Sequence, residues 1–177
     1  YQESIFARKT TEGFDLGWHK EIYQGFGMMY PQNVDVTHGG LAGADSTEHK
    51  FWFEVDGELL DVAKKISDVS LLAKAEGVTL SHVPRLVVGG AGVSGMTFVD
   101  NSEYREWVFA TFKADCLDME SAAVAHVSYV SDVHFIVFRS LSDLAGGGNK
   151  ENEMEIFFKL AADNAAEVLL QFLKSWK

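Results

Sequence analysis

The sequence predicts an α/β domain of three layers, in which helices cover both faces of a central mixed and mostly parallel sheet. Short runs rich in β-branched and aromatic residues alternate with segments of helical period along the chain, as expected for this class. Residues 133–138 form a near-continuous apolar run, which is typical of a central strand buried on both faces. A length of 177 residues fits a single domain spanning residues 1–177.

The first half of the chain contains an irregular segment and three ordered ones. Residues 1–50 hold scattered glycines and aromatic residues without a sustained period, so we predict a loop-rich binding or interface segment. Residues 51–55 form a short β-rich run, and residues 59–75 repeat apolar side chains at helical spacing. Residues 85–89 are predicted to form a buried strand.

The second half is predicted to contain three helices around two strands. The first helix covers residues 103–113 and is followed by a short strand that ends at Leu117. Asp118 can then cap a helix over residues 119–129. The side chains of this helix are apolar nearly all round, so we predict that it is buried. The last helix covers about residues 151–175 and has one apolar face.

Composition and charge exclude several classes of partner. The chain carries 26 acidic and 15 basic residues, a net charge of −11. This field repels nucleic acid, and no stripe of Lys and Arg offsets it, so we expect no nucleic-acid partner. No apolar run approaches the roughly 20 residues of a membrane-spanning helix, so no membrane partner is expected. The chain begins without Met and without a signal-peptide pattern, which we interpret as a processed or incomplete N-terminus.

Two patterns that would indicate other chemistry are weak in this chain. Residues 90–95 satisfy the G-x-G-x-x-G spacing, but a dinucleotide site also needs a helix that opens inside the motif. Residues 96–101 are instead β-like and then turn-like, so we expect these glycines to let backbone pass close to a ligand or strand. The six histidines and Cys116 show no metal-ligand spacing, so no metal is expected. His126 is interpreted as a hydrogen-bonded core residue.

Two carboxylates are harder to explain as structural residues. Glu120 lies in the first turn of the most apolar helix, where a negative charge stabilises by only ~0.3–1 kcal/mol. Asp143 follows the 133–138 strand and precedes a glycine run, so it could simply form a turn. Open α/β sheets, however, bind ligands at the carboxyl ends of their strands. Together the two residues suggest a binding or catalytic site.

Three segments around these carboxylates resemble a known family. Residues 117–125 (LDMESAAVA) and 138–145 (FRSLSDLA) are similar to the paired signature of the nucleoside phosphorylase/nucleosidase superfamily. Residues 94–99 (SGMTFV) resemble a third element of that family. The nearest enzymes are the methylthioadenosine/S-adenosylhomocysteine nucleosidases. The segments VVGG, FVDN and SDLAGGG also resemble the plant branch that includes bark and vegetative storage proteins.

The resemblance implies a phosphorylase/hydrolase-like fold and roles on the purine side of a site. It implies that Phe98 stacks on the purine and that Val99 offers backbone contacts to its edge. It also implies that Asp143, positioned by Ser142, hydrogen-bonds or protonates purine N7. A carboxylic acid suits this role because the departing base gains negative charge when the N-glycosidic bond breaks, and such general acid catalysis contributes ~10²–10⁴-fold.

On the sugar side, the resemblance implies that Met119 packs against the ribose. Glu120 would accept hydrogen bonds from the ribose hydroxyls, which suits a group with two acceptor oxygens. We further expect Arg139 to pair with Glu120 and hold it ionised.

The resemblance leaves the source of the nucleophile open. Family members begin with strands that supply a glycine-rich phosphate or water pocket, and the nucleosidases add a glutamate that activates water. No segment of residues 1–50 resembles either. We therefore expect either a separate or unobserved N-terminal fragment, with the fold incomplete at its N-terminus, or a protein that has dispensed with catalysis.

Three hypotheses follow for function. The first is a plant-type storage or purine- and nucleoside-binding protein. The alternative is an active purine nucleoside nucleosidase or phosphorylase. A dinucleotide-binding oxidoreductase rests on the glycine spacing alone. We expect a homo-oligomer, associating through the aromatic residues of 14–30, and no cofactor, with phosphate as a potential co-substrate. The plant branch implies the secretory pathway, in the vacuole or outside the cell.

Overall fold

The computed structural model describes residues 31–37, 47–66, 69–75, 78–147 and 154–176. Most of the segment 1–50, including the aromatic residues of 14–30, lies outside them. The elements of the described part, in chain order, are β1 (Val34–Thr37), β2 (Thr47–Lys50), α1 (Gly57–Ala63), β3 (Lys74–Ala75), β4 (Val78–Thr79), β5 (Gly92–Ser94), α2 (Ser102–Phe112), β6 (Cys116–Asp118), α3 (Ser121–Val130) and α4 (Met154–Ser175).

A β-α-β unit made by β5, α2 and β6 forms the centre of the described fold. β5 and β6 pair in parallel, with Val93 opposite Leu117. Helix α2 connects the two strands and buries Tyr104 and Val108 in a core cluster against them. The α/β class and the parallel pairing predicted from the sequence are therefore confirmed. The helix predicted over 103–113 and the short strand ending near Leu117 are confirmed as well.

Local signals set both ends of α2. The Asn101 side chain caps its N-terminus by accepting a hydrogen bond from the Tyr104 amide at 2.8 Å. At the other end Lys113 adopts a left-handed conformation with φ 55°, which ends the helix before β6. These two caps fix the length of the crossover and so the alignment of β5 with β6.

Two antiparallel hairpins complete the strands of the described part. β1 pairs with β2, although both lie within the segment that the sequence predicts to be irregular. β3 lies at the end of the region predicted as helix over 59–75 and pairs with β4, which follows that region. Helix α1 in that region ends at Ala63, and its first turn is capped by Asp56.

The helix predicted over 59–75 is wrong beyond residue 63, and in the later part a distant side chain binds the backbone. Asn164 of α4 is buried, and its Oδ1 accepts from the Leu72 amide at 2.7 Å. Its Nδ2 donates to the Leu72 carbonyl at 3.0 Å. The amide side chain thus satisfies the two backbone groups that helical hydrogen bonds would otherwise have used.

The two apolar runs predicted as buried strands differ most from the structure. Residues 85–89 belong to no strand, and Val87 in their middle is exposed. Residues 133–138 also belong to no strand, although their second half is half-buried and the Phe138 ring packs on Phe172 of α4. Apolarity signals a need for burial and carries no information about which strand supplies the hydrogen-bond partners.

Helix α3 is less buried than its composition predicts. Only Ala125 is buried among its residues, whereas Val124 and Val127 are 53% and 64% exposed. His126, expected in a hydrogen-bonded core position, is half-buried with its ring stacked on Phe53 at 5.3 Å. The prediction of a helix buried all round is therefore wrong for the part of the chain that the structure describes.

The glycine motif of residues 90–95 forms a strand entry instead of a dinucleotide loop. β5 begins at Gly92 and the next helix only at Ser102, so no helix opens inside the motif. Gly90 has a φ of +93°, and a Cβ there would lie 2.5 Å from the Asp115 carboxylate. The expected close passage of backbone is confirmed, and the oxidoreductase hypothesis loses its only support.

Candidate functional site

The candidate site lies at the carboxyl ends of the parallel strands β5 and β6. Ser94 and Asp118 are partners in the last position of the ladder. Just beyond it, the Gly95 amide donates to the Asp118 carbonyl oxygen at 3.0 Å. Because the two strands run in the same direction, the segments that follow them start side by side. One segment leads to Phe98 and the other to Glu120.

An arginine joins two carboxylates at this edge. Arg139 Nε donates to the Asp118 Oδ2 at 2.7 Å, and Arg139 Nη2 forms an ion pair with the Glu120 carboxylate. The two carboxylates differ in environment, since the side chain of Asp118 is 13% exposed and that of Glu120 is 67% exposed. Arg139 therefore connects a buried negative charge with one that faces solvent.

Asp118 is held by several further donors. Its Oδ1 accepts from the Ser121 amide at 3.1 Å and from the Glu120 amide at 3.3 Å, and Ser121 Oγ donates to its Oδ2. Burial alone would raise the pKa of Asp118. Hydrogen bonds from Arg139, Ser121 and Ser94 outweigh burial and lower the pKa to about 2. Asp118 is consequently a carboxylate at every pH at which the protein would work.

The pKa of the neighbouring thiol, Cys116, is raised, whereas that of Asp118 is lowered. Burial, together with the charge of Asp118, raises the pKa of Cys116. A thiol with a raised pKa is protonated at neutral pH and is a poor nucleophile. Cys116 is therefore a packing residue of β6, placed where a Cβ on Gly92 would lie 3.0 Å from its Sγ.

The loop that carries Asp143 docks onto the start of α2. The Gly146 amide donates to Asp100 Oδ1 at 2.7 Å, and Arg105 Nη1 donates to the Ala145 carbonyl at 2.7 Å. Gly146 has a φ of +65°, and a Cβ there would lie 2.2 Å from the amide nitrogen of Ser102. Only glycine fits this contact, so the glycine run fixes the loop in place.

Asp143 itself is partly buried and accepts a hydrogen bond from the preceding residue. Ser142 Oγ donates to Asp143 Oδ2 at 2.9 Å, which is the contact expected from the family resemblance. The docking of the loop on Asp100 brings Asp143 towards the segment that contains Phe98 and Val99. The catalytic role of Asp143 stays a prediction.

The remaining predicted residues divide into exposed and packed ones. Phe98 is 51% exposed and Met119 is 41% exposed, as contact residues for a ligand need to be. Val99 packs against the core cluster of α2, which leaves its backbone as the part able to meet a ligand. Arg139 and Glu120 are joined directly. The structure thus pairs Glu120 with Arg139. It also holds the Asp143 loop on Asp100, which lies two residues after Phe98.

Sequence reasoning missed the residues that hold the site together. The sequence predicts Asp118 only as a helix cap, whereas the N-cap position of α3 is Glu120 and Asp118 accepts from the Glu120 and Ser121 amides. Its hydrogen bond with Arg139 joins residues 21 positions apart. The contacts that hold the Asp143 loop on Asp100 and Arg105 span 46 and 40 positions. Both residues of the Asp118–Arg139 pair lie in the signature segments, so their opposite charges make them a candidate pair, but the sequence does not show that they meet.

A cleft of about 300 Å³ lies elsewhere on the described surface. None of the predicted site residues contributes to it. Its lining consists of Glu54, Asp56, Ser128, Tyr129, Asp132, Val133, His134 and Phe135. This cleft is therefore separate from the candidate site at Glu120 and Asp143.

The described residues contain neither a cluster of metal-ligating side chains nor a helix fit to cross a membrane. No group of three or more His, Cys, Asp or Glu side chains is arranged there to hold a metal ion. No helix there is both long and apolar enough to span a bilayer.

Two of the known proteins that are similar to this chain are nucleosidases. A 5'-methylthioadenosine/S-adenosylhomocysteine nucleosidase of Actinobacillus succinogenes is 32% identical over 142 residues, which cover 80% of this chain and 56% of the relative. An aminodeoxyfutalosine nucleosidase of Helicobacter pylori is 31% identical over 128 residues, covering 72% of this chain and 48% of the relative. The chain spans about half the length of these curated relatives. No solved structure matches it significantly.

The family model described as "Phosphorylase superfamily" matches residues 25–174, which include every residue of the candidate site. The match covers most of the 177 residues. The chain belongs to the phosphorylase superfamily.

Proposed function

We propose that the chain carries the base- and ribose-binding part of a nucleosidase-type site, which cleaves the N-glycosidic bond of a purine nucleoside. The observation that carries this proposal is the Asp118–Arg139–Glu120 cluster at the carboxyl ends of β5 and β6. In this cluster Asp118 and Arg139 hold the exposed carboxylate of Glu120 at the edge where α/β folds bind their ligands.

Glu120 serves the sugar in this proposal. Its carboxylate pairs with Arg139 and can accept further hydrogen bonds through its two oxygens. The 2'- and 3'-hydroxyls of ribose are adjacent donors that two carboxylate oxygens can satisfy together. Met119, exposed beside Glu120, supplies an apolar surface for the ribose ring.

Asp143 and Phe98 serve the base. The exposed Phe98 ring offers a face on which a purine can stack. Cleavage of the N-glycosidic bond leaves positive charge on the sugar and negative charge on the base. A proton delivered by Asp143 to purine N7 neutralises the departing base, while the negative charge of Glu120 faces the developing oxocarbenium ion.

The relatives favour an enzyme over a storage protein. Both of those described above are named as nucleosidases, whereas the plant storage interpretation rests on short segments of resemblance alone. The same names favour water over phosphate as the nucleophile, with phosphate retained as the alternative co-substrate. The residues that deliver the nucleophile are not assigned in this chain.

Turnover assays on the 177-residue chain test the proposal. The chain is incubated with methylthioadenosine or adenosine, with and without phosphate, and free adenine is followed by chromatography. We expect adenine to be released without phosphate, and the rate to fall by about 100-fold or more in Asp143→Asn, the range for loss of a general acid. Asp163→Asn, which alters an exposed aspartate of α4 paired with Lys159, is the matched control and should leave the rate unchanged.

The other outcomes separate the alternatives. Adenine release that requires phosphate would make the protein a phosphorylase. Binding of adenine or nucleoside without any release would favour the storage and binding interpretation. Release that persists in Asp143→Asn would remove the assignment of the acid. Self-association through residues 14–30 and a location in the secretory pathway also remain proposals, the first resting on residues outside the described part.

A further inference from the structure

Asp118 is the most heavily hydrogen-bonded carboxylate of the described site, although the proposed chemistry gives it no contact with substrate. It accepts from two backbone amides through Oδ1, and from Ser121 Oγ and Arg139 Nε through Oδ2. Ser94 on the neighbouring strand adds a further side-chain hydrogen bond. These contacts use most of the roughly four acceptor positions of a carboxylate, so Asp118 has little capacity left for a ligand.

These contacts join the three segments on which the proposed site depends. Ser94 begins the segment that leads to Phe98. Ser121 begins α3, directly after Met119 and Glu120. Arg139 begins the segment that leads to Asp143. A single, largely buried carboxylate therefore contacts all three segments, and its bond to Arg139 is the contact that leads to Glu120.

We propose that Asp118 is the positioning residue of the sugar side: by binding Arg139 at Nε, it orients the guanidinium so that Nη2 reaches Glu120 while the Glu120 carboxylate stays turned to solvent. This inference rests on the proposed function. Its physical basis is the preference of a guanidinium for gripping one carboxylate with two parallel hydrogen bonds. Asp118 occupies one side of Arg139, so Glu120 receives a contact through one terminal nitrogen.

Removing the charge of Asp118 changes how Arg139 binds Glu120. In Asp118→Asn, Glu120 is the one carboxylate of the cluster that still pairs with Arg139, and the guanidinium can turn to bind both of its oxygens. Those are the oxygens that the ribose hydroxyls need. The loss therefore falls on the sugar contact and spares the base contact made by Phe98 and Asp143.

The test compares a nucleoside with a free base on the same protein. Formycin A, an adenosine analogue whose base and sugar are joined by a carbon–carbon bond, is not consumed during the measurement. Its Kd and that of adenine are measured by calorimetry on the 177-residue chain. In Asp118→Asn we expect the Kd for formycin A to rise about 10-fold or more and that for adenine to change less than about 3-fold, because a charge-assisted sugar contact is lost.

Three further variants keep the test decisive. Asp115→Asn is the matched control, since Asp115 contacts Ala91 beside β5 at the opposite end of the same strand pair, and it should leave both constants unchanged. Asp118→Glu retains the charge and should recover part of the formycin A affinity. Ser121→Ala removes one donor to Asp118 and should move the ratio of the two constants in the same direction, by about 2- to 5-fold. It decides the question if Asp118→Asn does not fold.

The outcomes distinguish the two proposals. Equal losses for formycin A and adenine, or no loss in Asp118→Asn, would overturn the positioning role and leave the proposed function standing. A wild-type chain that binds neither ligand would overturn the proposed function and the positioning role with it. A change in the ratio for Asp115→Asn would also overturn the assignment, because it would show that any disturbance of β5 and β6 has the same effect.

Discussion

The pH dependence of stability offers a quantitative check on the Asp118 cluster. The pKa of Asp118 falls from its ordinary value of 3.8 to about 2 in the folded chain. Because the folded-state pKa lies below the unfolded one, the contribution is fully present above pH 4 and is lost as the pH falls towards 2. The difference corresponds to about 2 kcal/mol of stability at neutral pH. About half of it should remain at pH 3, midway through this range.

The perturbation is Asp118→Asn, which resembles the protonated aspartate in shape and lacks its charge. Urea unfolding of wild type and variant, followed by circular dichroism from pH 7 to pH 3, gives the free energy of unfolding of each. We expect the variant to be less stable by about 2 kcal/mol at pH 7 and by about 1 kcal/mol at pH 3. A difference that stays constant over this range would refute the reasoning, because it would show that the charge of Asp118 is not what stabilises the fold.

Three further predictions follow from the geometry. Gly146→Ala should lower stability by at least about 1 kcal/mol and slow turnover, because it strains a left-handed position and displaces the Asp143 loop; an unchanged melting temperature would contradict this. Asn164→Ala should cost about 1–3 kcal/mol in urea unfolding, because it leaves the Leu72 amide and carbonyl without their partner; a loss within error would contradict it. The hydrogen bond with Asp56 raises the pKa of His134 above its ordinary value of 6.5. The pair therefore stabilises the folded chain fully below pH 6.5, and this contribution is lost as the pH rises through the raised pKa. Asp56→Asn should bring the pKa back towards 6.5 in an NMR titration, and an unmoved midpoint would exclude the pair.

The elements that the sequence predicts correctly are those with local signals. Helix α2 has a capping asparagine, a helical period and a left-handed terminator within one short stretch. Strand β6 and the start of α3 follow α2 directly in the sequence, so their positions can be predicted from the same stretch. For α4 the helical period extends over 22 residues and outweighs any single exception. Each of these decisions depends on residues within a few turns of one another.

The elements that the sequence mispredicts depend on partners far along the chain. Residues 59–75 have helical spacing, yet the helix ends at Ala63 and Asn164 binds the Leu72 backbone across 92 positions. Residues 133–138 are apolar enough for a buried strand, but pairing requires a neighbour, and composition does not reveal which one. Local periodicity shows neither where a distant side chain will bind nor which strand will be a neighbour.

The candidate site shows the same division. Glu120 and Asp143 stand out because carboxylates are unusual next to apolar elements. Their proposed roles come from the family resemblance, whereas the contact of Arg139 with Glu120 is a separate expectation that the structure contains. The Asp118 contact with Arg139 could not be inferred from spacing, because it depends on the parallel register that places β6 beside β5.

A crystal structure of the chain with formycin A tests the central claim most directly. In this complex the ribose hydroxyls should lie about 2.5–3.0 Å from the Glu120 carboxylate, and the ring nitrogen that corresponds to purine N7 should face Asp143 at hydrogen-bonding distance. A ligand bound instead in the cleft beside Tyr129, or a structure in which Glu120 and Asp143 lie on opposite sides of the nucleoside-binding edge, would contradict it.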